Sequence, residues 1–150
     1  MFNKNERSTF HYWFAHWCAF QMTALNLHVW KPKYLLHDIE KPWLMLLLKD
    51  YKKVQKYHRE HNNHHIEYAE AQYIKNLGKR TTDSIQKYIG KIDVVAMIID
   101  NECSRFTKEN NPLTAIQFAQ NELNSINKNS PYIEFYENYI VIAKKLGLKE

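Results

Sequence analysis

The stretch Ile92-Asp93-Val94-Val95-Ala96-Met97-Ile98-Ile99-Asp100-Asn101-Glu102-Cys103-Ser104-Arg105 decides how this chain reads. Ile92, Val95, Ala96, Ile99 and Cys103 recur at i, i+3, i+4, i+7 and i+11, which is one face of an α-helix turned to a core. Asp93 stands at the position of an N-cap. Asp100 follows Ala96 by four residues, so this helix carries a carboxylate at the border of its buried stripe. Such a group is costly unless it is paired or bound to a metal. A salt bridge to Arg105 or to a lysine would satisfy it, and so would a cation.

The flanking sequence is helical too. Three glycines and four prolines in 150 residues leave few of the turn signals that β-hairpins need. Ser8 or Thr9 is placed to cap a first helix ending near Asn26. Pro32 suits the first turn of a second helix over 33–39. Pro42 breaks or restarts the chain, and a third helix is expected from Trp43 to His58 or His61. Asn62-Asn63 breaks the chain before a fourth helix from His64 to Gly78. A loop follows over 79–82, and Thr82 or Asp83 caps a short helix to Ile89. Pro112 and Pro131 are expected to open the last two helices. The fold predicted is all-α, a single compact domain over residues 1–150 with six to eight helices. A hydrophobic content of 45% supports a folded core rather than a disordered chain.

Composition also narrows the partners. Lys+Arg 21 against Asp+Glu 16 gives a net charge of +5 with histidine neutral, a mild bias toward anions. Lys49, Lys52, Lys53 and Lys56 make a basic edge, but Asp50 interrupts it, and an ordinary solvated face is expected rather than a nucleic-acid surface. Cys18 and Cys103 lie far apart in apolar patterns and read as free thiols in a reducing, cytoplasmic setting. The aromatic stretch from Phe10 to Leu27 contains His11, His16, Gln21 and Asn26, and the run Trp43 to Leu48 is short. Neither suits a membrane span. The aromatic first helix offers a surface for a homo-oligomer.

The chemistry concentrates in Leu35-Leu36-His37-Asp38-Ile39-Glu40-Lys41-Pro42. Adjacent His37 and Asp38 offer an imidazole nitrogen and a hard carboxylate oxygen to one ion, a donor set suited to Mn, Fe, Co, Ni or Zn. Four of the eight histidines, His58, His61, His64 and His65, follow within eight residues. On one continuous helix His61 would share a face with His64 and His65. If the Asn pair breaks that helix, His58 and His64 converge from two ends. Two histidines precede this region. His11 and His16 point roughly 140° apart on a helix, so they do not share a site. His11 aligns with the small-to-apolar seam Ala15, Cys18, Met22 and Leu25 and is expected to face inward. His16, beside Trp13 and Phe20, reads as a packed or surface residue.

The order His11, His37-Asp38, the His58–His65 cluster and Asp100 on an all-helical chain resembles the HD-domain metal-dependent phosphohydrolases. The step His37 to Lys41 stands as His-Asp-x-x-Lys. With Asn62 to Glu67 and Asp100 to Arg105, it resembles a bacterial and phage branch of HD-like proteins, over residues 11 to about 125. The resemblance implies one or two divalent ions (Mn, Fe, Co, Ni, Zn or Mg). His11, His37, Asp38 and Asp100 would hold the principal ion. His58, His64 and His65 would bind a second or contact the phosphate, with Asp38 shared. Asp38, Lys41 and His64 are the expected catalytic groups. Lys41, Arg59, His65 and Ser104 are the expected substrate contacts, Arg59 because a guanidinium matches phosphate oxygens in pairs. The expected activity is hydrolysis of a nucleotide or related small phosphate ester by metal-activated water, with Tyr57, Tyr68 or Trp43 available to stack a base. Two alternatives use the same residues. One is a di-iron oxygenase on an HD-like scaffold, and the other a non-catalytic metal- or nucleotide-binding protein.

Overall fold

A computed structural model describes residues 1–77, 84–110 and 112–150. Its central element is the helix around Asp100, α6 (Val94–Thr107), capped by the Asp93 side chain, which accepts from the Ala96 amide. Four of the five stripe residues, Ile92, Ala96, Ile99 and Cys103, are buried, and so are Met97 and Ile98. The helix is therefore sandwiched. Met97 and Ile98 join a core built from α5 (Ile85–Ile89), α7 (Ala115–Ser125) and α8 (Ile133–Lys145). Ala96, Ile99 and Cys103 pack instead on Phe20 and Ala24 of α1 (Phe10–Asn26) and on Tyr34. Asp100 sits where these two cores meet.

Among the described residues there are eight α-helices and two short 3-10 turns, and no β-strand. A lone bridge pairs Phe2 with Lys108. The all-α expectation holds, with different joints. Pro32–Leu36 is a 3-10 turn, so the expected helix over 33–39 does not form. The single helix expected from Trp43 divides into α2 (Lys41–Leu48) and α3 (Tyr51–His61). Lys49 adopts a left-handed conformation with φ 54° and ends α2, and the Asp50 side chain caps α3. Local capping chemistry overrode the apolar run. The fourth helix, α4 (Ile66–Leu77), begins two residues after His64. The expected stop at Gly78, the loop over 79–82 and the cap at Thr82 or Asp83 lie outside the described residues. Thr114, not Pro112, starts α7, through a reciprocal capping box with Gln117.

Helix α1 packs along α6, α7 along α8, and α3 on α4. The face α1 turns inward is Tyr12, His16, Phe20 and Ala24, spaced by four. The seam expected to be buried lies outside: His11, Met22 and Leu25 are exposed. The rings of Tyr12 and Phe20 on the buried face remove more apolar area from water than Ala15 and Cys18 of the other seam. Phe10, Phe14, Trp43, Leu46 and Leu47 of α1 and α2 also remain exposed. No helix among the described residues is long and apolar enough to cross a membrane.

Candidate metal centre

Five segments bring the polar centre together. His16 comes from the middle of α1. His37 and Asp38 follow the 3-10 turn, His58 closes α3, His64 and His65 fill the α3–α4 connection, and Asp100 rises from α6. Asp38 has φ 58°, a left-handed conformation that aspartate tolerates better than most residues and that aims its carboxylate inward. His16, His37, Asp38, His58 and His64 are all buried.

The donors form overlapping groups. Ligand atoms of His16, His37, Asp38 and Asp100 lie within 4.8 Å of one another, as do those of His58, His64 and His65, and those of Asp38, Glu40 and His58. Within the first group, His16 Nε2 is 2.7 Å and His37 Nε2 3.1 Å from Asp100 Oδ1. Asp38 Oδ2 is 3.4 Å from His37 Nε2 and 3.9 Å from His16 Nε2. Atoms about 2.1 Å from a common ion lie about 3.0 Å apart at a right angle and about 3.4 Å apart at the tetrahedral angle. The 3.1 and 3.4 Å spacings are those of donors around a shared cation and the His16–Asp38 pair implies a wider angle, while the 2.7 Å His16–Asp100 contact is that of a hydrogen bond. Asp38 Oδ1 faces the other group, 3.1 Å from His58 Nε2 and 3.4 Å from His64 Nε2. Asp38 Oδ1 and His64 Nε2 are nevertheless buried without a hydrogen-bond partner. His64 Nε2 is close to Asp38 Oδ1 without donating to it, which suits donors that converge on an ion.

The surroundings fix charge and orientation. Burial alone would push the Asp38 carboxyl up, but His37, Lys41 and His58 overcome this and hold it well below the usual carboxylate range. Burial acts on Asp100 in the same sense, and hydrogen bonds from His16 and His37 hold it low as well. Burial pushes His37 down despite the two aspartates, and it pushes His65 down to about 2, with His64 adding to the effect. A neutral imidazole keeps the lone pair that a metal requires; at His58, by contrast, Asp38 and Glu40 outweigh burial and raise the pKa, so an ion there would have to displace a proton. Glu40 accepts from His58 Nδ1, which aims Nε2 of that ring at Asp38. Asn62 donates to Glu40 Oε1 at 3.1 Å and to the His58 carbonyl at 2.7 Å, holding the pair in place. Thr107 Oγ1 stands 3.3 Å from the far nitrogen of His16. Such partners orient ligating imidazoles and raise their basicity.

A cavity of about 360 Å³ opens onto the centre, with His64, His65, Asp100, Ser104 and Lys108 on its wall and Arg59 also lining it. Lys108 is half-buried, and burial lowers its pKa against the pull of Asp100.

Most expected site residues thus meet, with corrections. His11 is exposed on the outer face of α1, and His16, four residues from Tyr12 and from Phe20 along the buried face, stands among the donors in the place expected of His11. Lys41 directs its ammonium at Asp38 Oδ2, 2.9 Å away. Its charge keeps that carboxylate ionised and is not free for a substrate. Ser104 lines the cavity, but its hydroxyl donates to the Asp100 carbonyl at 2.8 Å. His61 points away and stacks on Tyr57 with centroids 3.8 Å apart. Tyr57, Tyr68 and Trp43 do not line this cavity, whose aromatic walls are Phe118 and Tyr136. Arg105 pairs with Glu102 at 2.8 Å, so it is not the partner of Asp100, whose carboxylate is satisfied by His16 and His37 instead. Lys108 and the orienting role of Glu40 and Asn62 were missed from sequence. The four-residue spacing of Tyr12, His16, Phe20 and Ala24 was the available signal for His16.

Compared with protein-family models, with curated proteins and with solved structures, the chain matches none.

Proposed function

We propose that this protein is a metal-dependent phosphohydrolase of the HD type, acting on a small phosphate ester. The observation that carries the reading is the position of Asp38, whose two carboxylate oxygens face two separate groups of histidine and aspartate donors. The order His16, His37-Asp38, His58, His64 and Asp100 keeps the HD sequence pattern with His16 as its first member. His16, His37, Asp38 and Asp100 would hold one divalent ion, and His58, His64 and His65 with Asp38 a second. Bound there, such ions supply Lewis acidity and bring the pKa of water toward neutrality.

The chain's own residues do the rest. Lys41, 2.9 Å from Asp38 Oδ2, keeps that carboxylate ionised, so it can serve both groups. Glu40 fixes His58 in one tautomer and one orientation. Lys108 and Arg59, on the cavity wall, would place positive charge against the non-bridging oxygens of a phosphoryl group as negative charge builds there. The cavity size suits a small ester, a mononucleotide included.

The test is metal content by mass spectrometry on protein purified without chelator, beside Asp38→Asn and Asp100→Asn. Hydrolysis of phosphate esters with Mn, Co, Ni or Mg is assayed in parallel. Bound transition metal that falls in both variants, with hydrolysis that falls alongside, is the expected result. Iron with oxygen consumption and no hydrolysis would replace this reading with the oxygenase. Metal without turnover of any kind would leave a binding protein.

A further inference from the structure

The cavity wall carries groups of opposite charge. Lys108 and Arg59 share it with the histidine and aspartate cluster, while Glu67 of α4, Glu122 of α7 and Tyr136 of α8 contribute acids and a phenol. Glu67 and Glu122 are half-buried, and neither pairs with a cation among the described residues. Tyr136 is only 1% exposed, and its hydroxyl is buried with no hydrogen-bond partner. Burial, followed by the carboxylates of Glu122 and Glu67, raises the pKa of that hydroxyl, so both acids act on it and Glu122 acts more strongly. The Phe118 ring meets Tyr136 edge-on with centroids 6.5 Å apart.

Two unpaired carboxylates, an orphan phenol oxygen and aromatic faces beside one cavity are what a primary ammonium group requires. It donates three hydrogen bonds, is attracted by each carboxylate and rests against a ring. A neutral nucleobase would supply donors but no positive charge to set against the acids. Resting on the phosphohydrolase reading above, we infer that Glu122, Glu67 and Tyr136 form an amine-recognising subsite, and that the substrate is a phosphate ester carrying a protonated amine.

The probes are non-hydrolysable. Aminoalkylphosphonates of two to four carbons are titrated calorimetrically into the full-length, Mn-loaded protein, beside alkylphosphonates of matching length, inorganic phosphate and adenosine monophosphate. The expected result is that at least one aminoalkylphosphonate binds about tenfold tighter than its alkyl counterpart. Glu122→Gln should erase that preference and Tyr136→Phe weaken it, while both leave inorganic phosphate binding unchanged. Equal binding of amino and alkyl probes with phosphate binding intact would overturn the subsite and leave the phosphate site standing. Adenosine monophosphate binding tighter than every aminoalkylphosphonate would overturn it in favour of a base. Failure of the Mn-loaded protein to bind any of the probes would overturn both this assignment and the reading beneath it.

Discussion

Asp93 ties together three of the segments that carry the centre, and replacing it tests whether the site is assembled by that tie. Its Oδ1 accepts from the Ala96 amide at 3.0 Å, capping the helix that bears Asp100. Its Oδ2 pairs with Lys33 at 2.7 Å, four residues before His37. Its own amide donates to the Asn63 carbonyl at 2.8 Å, next to His64. In Asp93→Ala the cap is lost, for about 1 kcal/mol. The ion pair is lost too, and because the Lys33 side chain is 56% exposed, solvent screening limits this to about 0.5 kcal/mol. The total of about 1.5 kcal/mol lowers Tm by roughly 3–6 °C in a domain of this size. Asp93→Asn keeps a capping oxygen and loses only the pair, about 0.5 kcal/mol. Urea unfolding of metal-free protein at neutral pH separates the two variants, since bound metal would add its own stability. Burial would raise the Asp93 pKa, but Lys33 and the Ala96 amide hold it below the usual range. A depressed folded pKa gives stability that is fully present above the unfolded value of about 3.9 and lost as pH falls through the folded value. The gap between wild type and Asp93→Asn should therefore persist to about pH 4 and close below it. Equal losses in the two variants, or a loss in Asp93→Ala below about 0.3 kcal/mol, would refute the capping argument.

Three further outcomes follow from the same geometry. His16→Ala should abolish metal binding to the group containing Asp100, while His11→Ala should leave metal content unchanged; the reverse would place the α1 ligand on the wrong face. Glu40→Gln, which weakens the hold on His58, should lower Mn affinity about ten- to a hundredfold by competition with a fluorescent chelator, and unchanged affinity would remove Glu40 from the site. Mn at a hundred times its dissociation constant should stabilise the wild type by about 2.7 kcal/mol per site, reversibly with EDTA, and Asp38→Asn should show little of this gain in thermal melts.

The sequence by itself determined the helical character, through the stripe around Ile99, the capping residues and the shortage of turn signals. It also singled out His37, Asp38 and Asp100, which border apolar runs, and His58 and His64, which fall in a cluster of four histidines, as candidate donors. It did not determine which face of α1 is buried. That helix is apolar on more than one side, so His11 and His16 each have a plausible seam, and only packing of Tyr12, Phe20 and Ala24 against α6 selects His16. The same holds for Lys41, whose partner is set by the left-handed turn at Asp38, and for Lys108, Glu122 and Tyr136, which come from three elements distant in sequence and share only a cavity. Periodicity records what a residue does within its own helix. Which helices meet, and at what rotation, is decided by the sum of many burial terms spread over the whole chain, and the centre inherits its geometry from that sum.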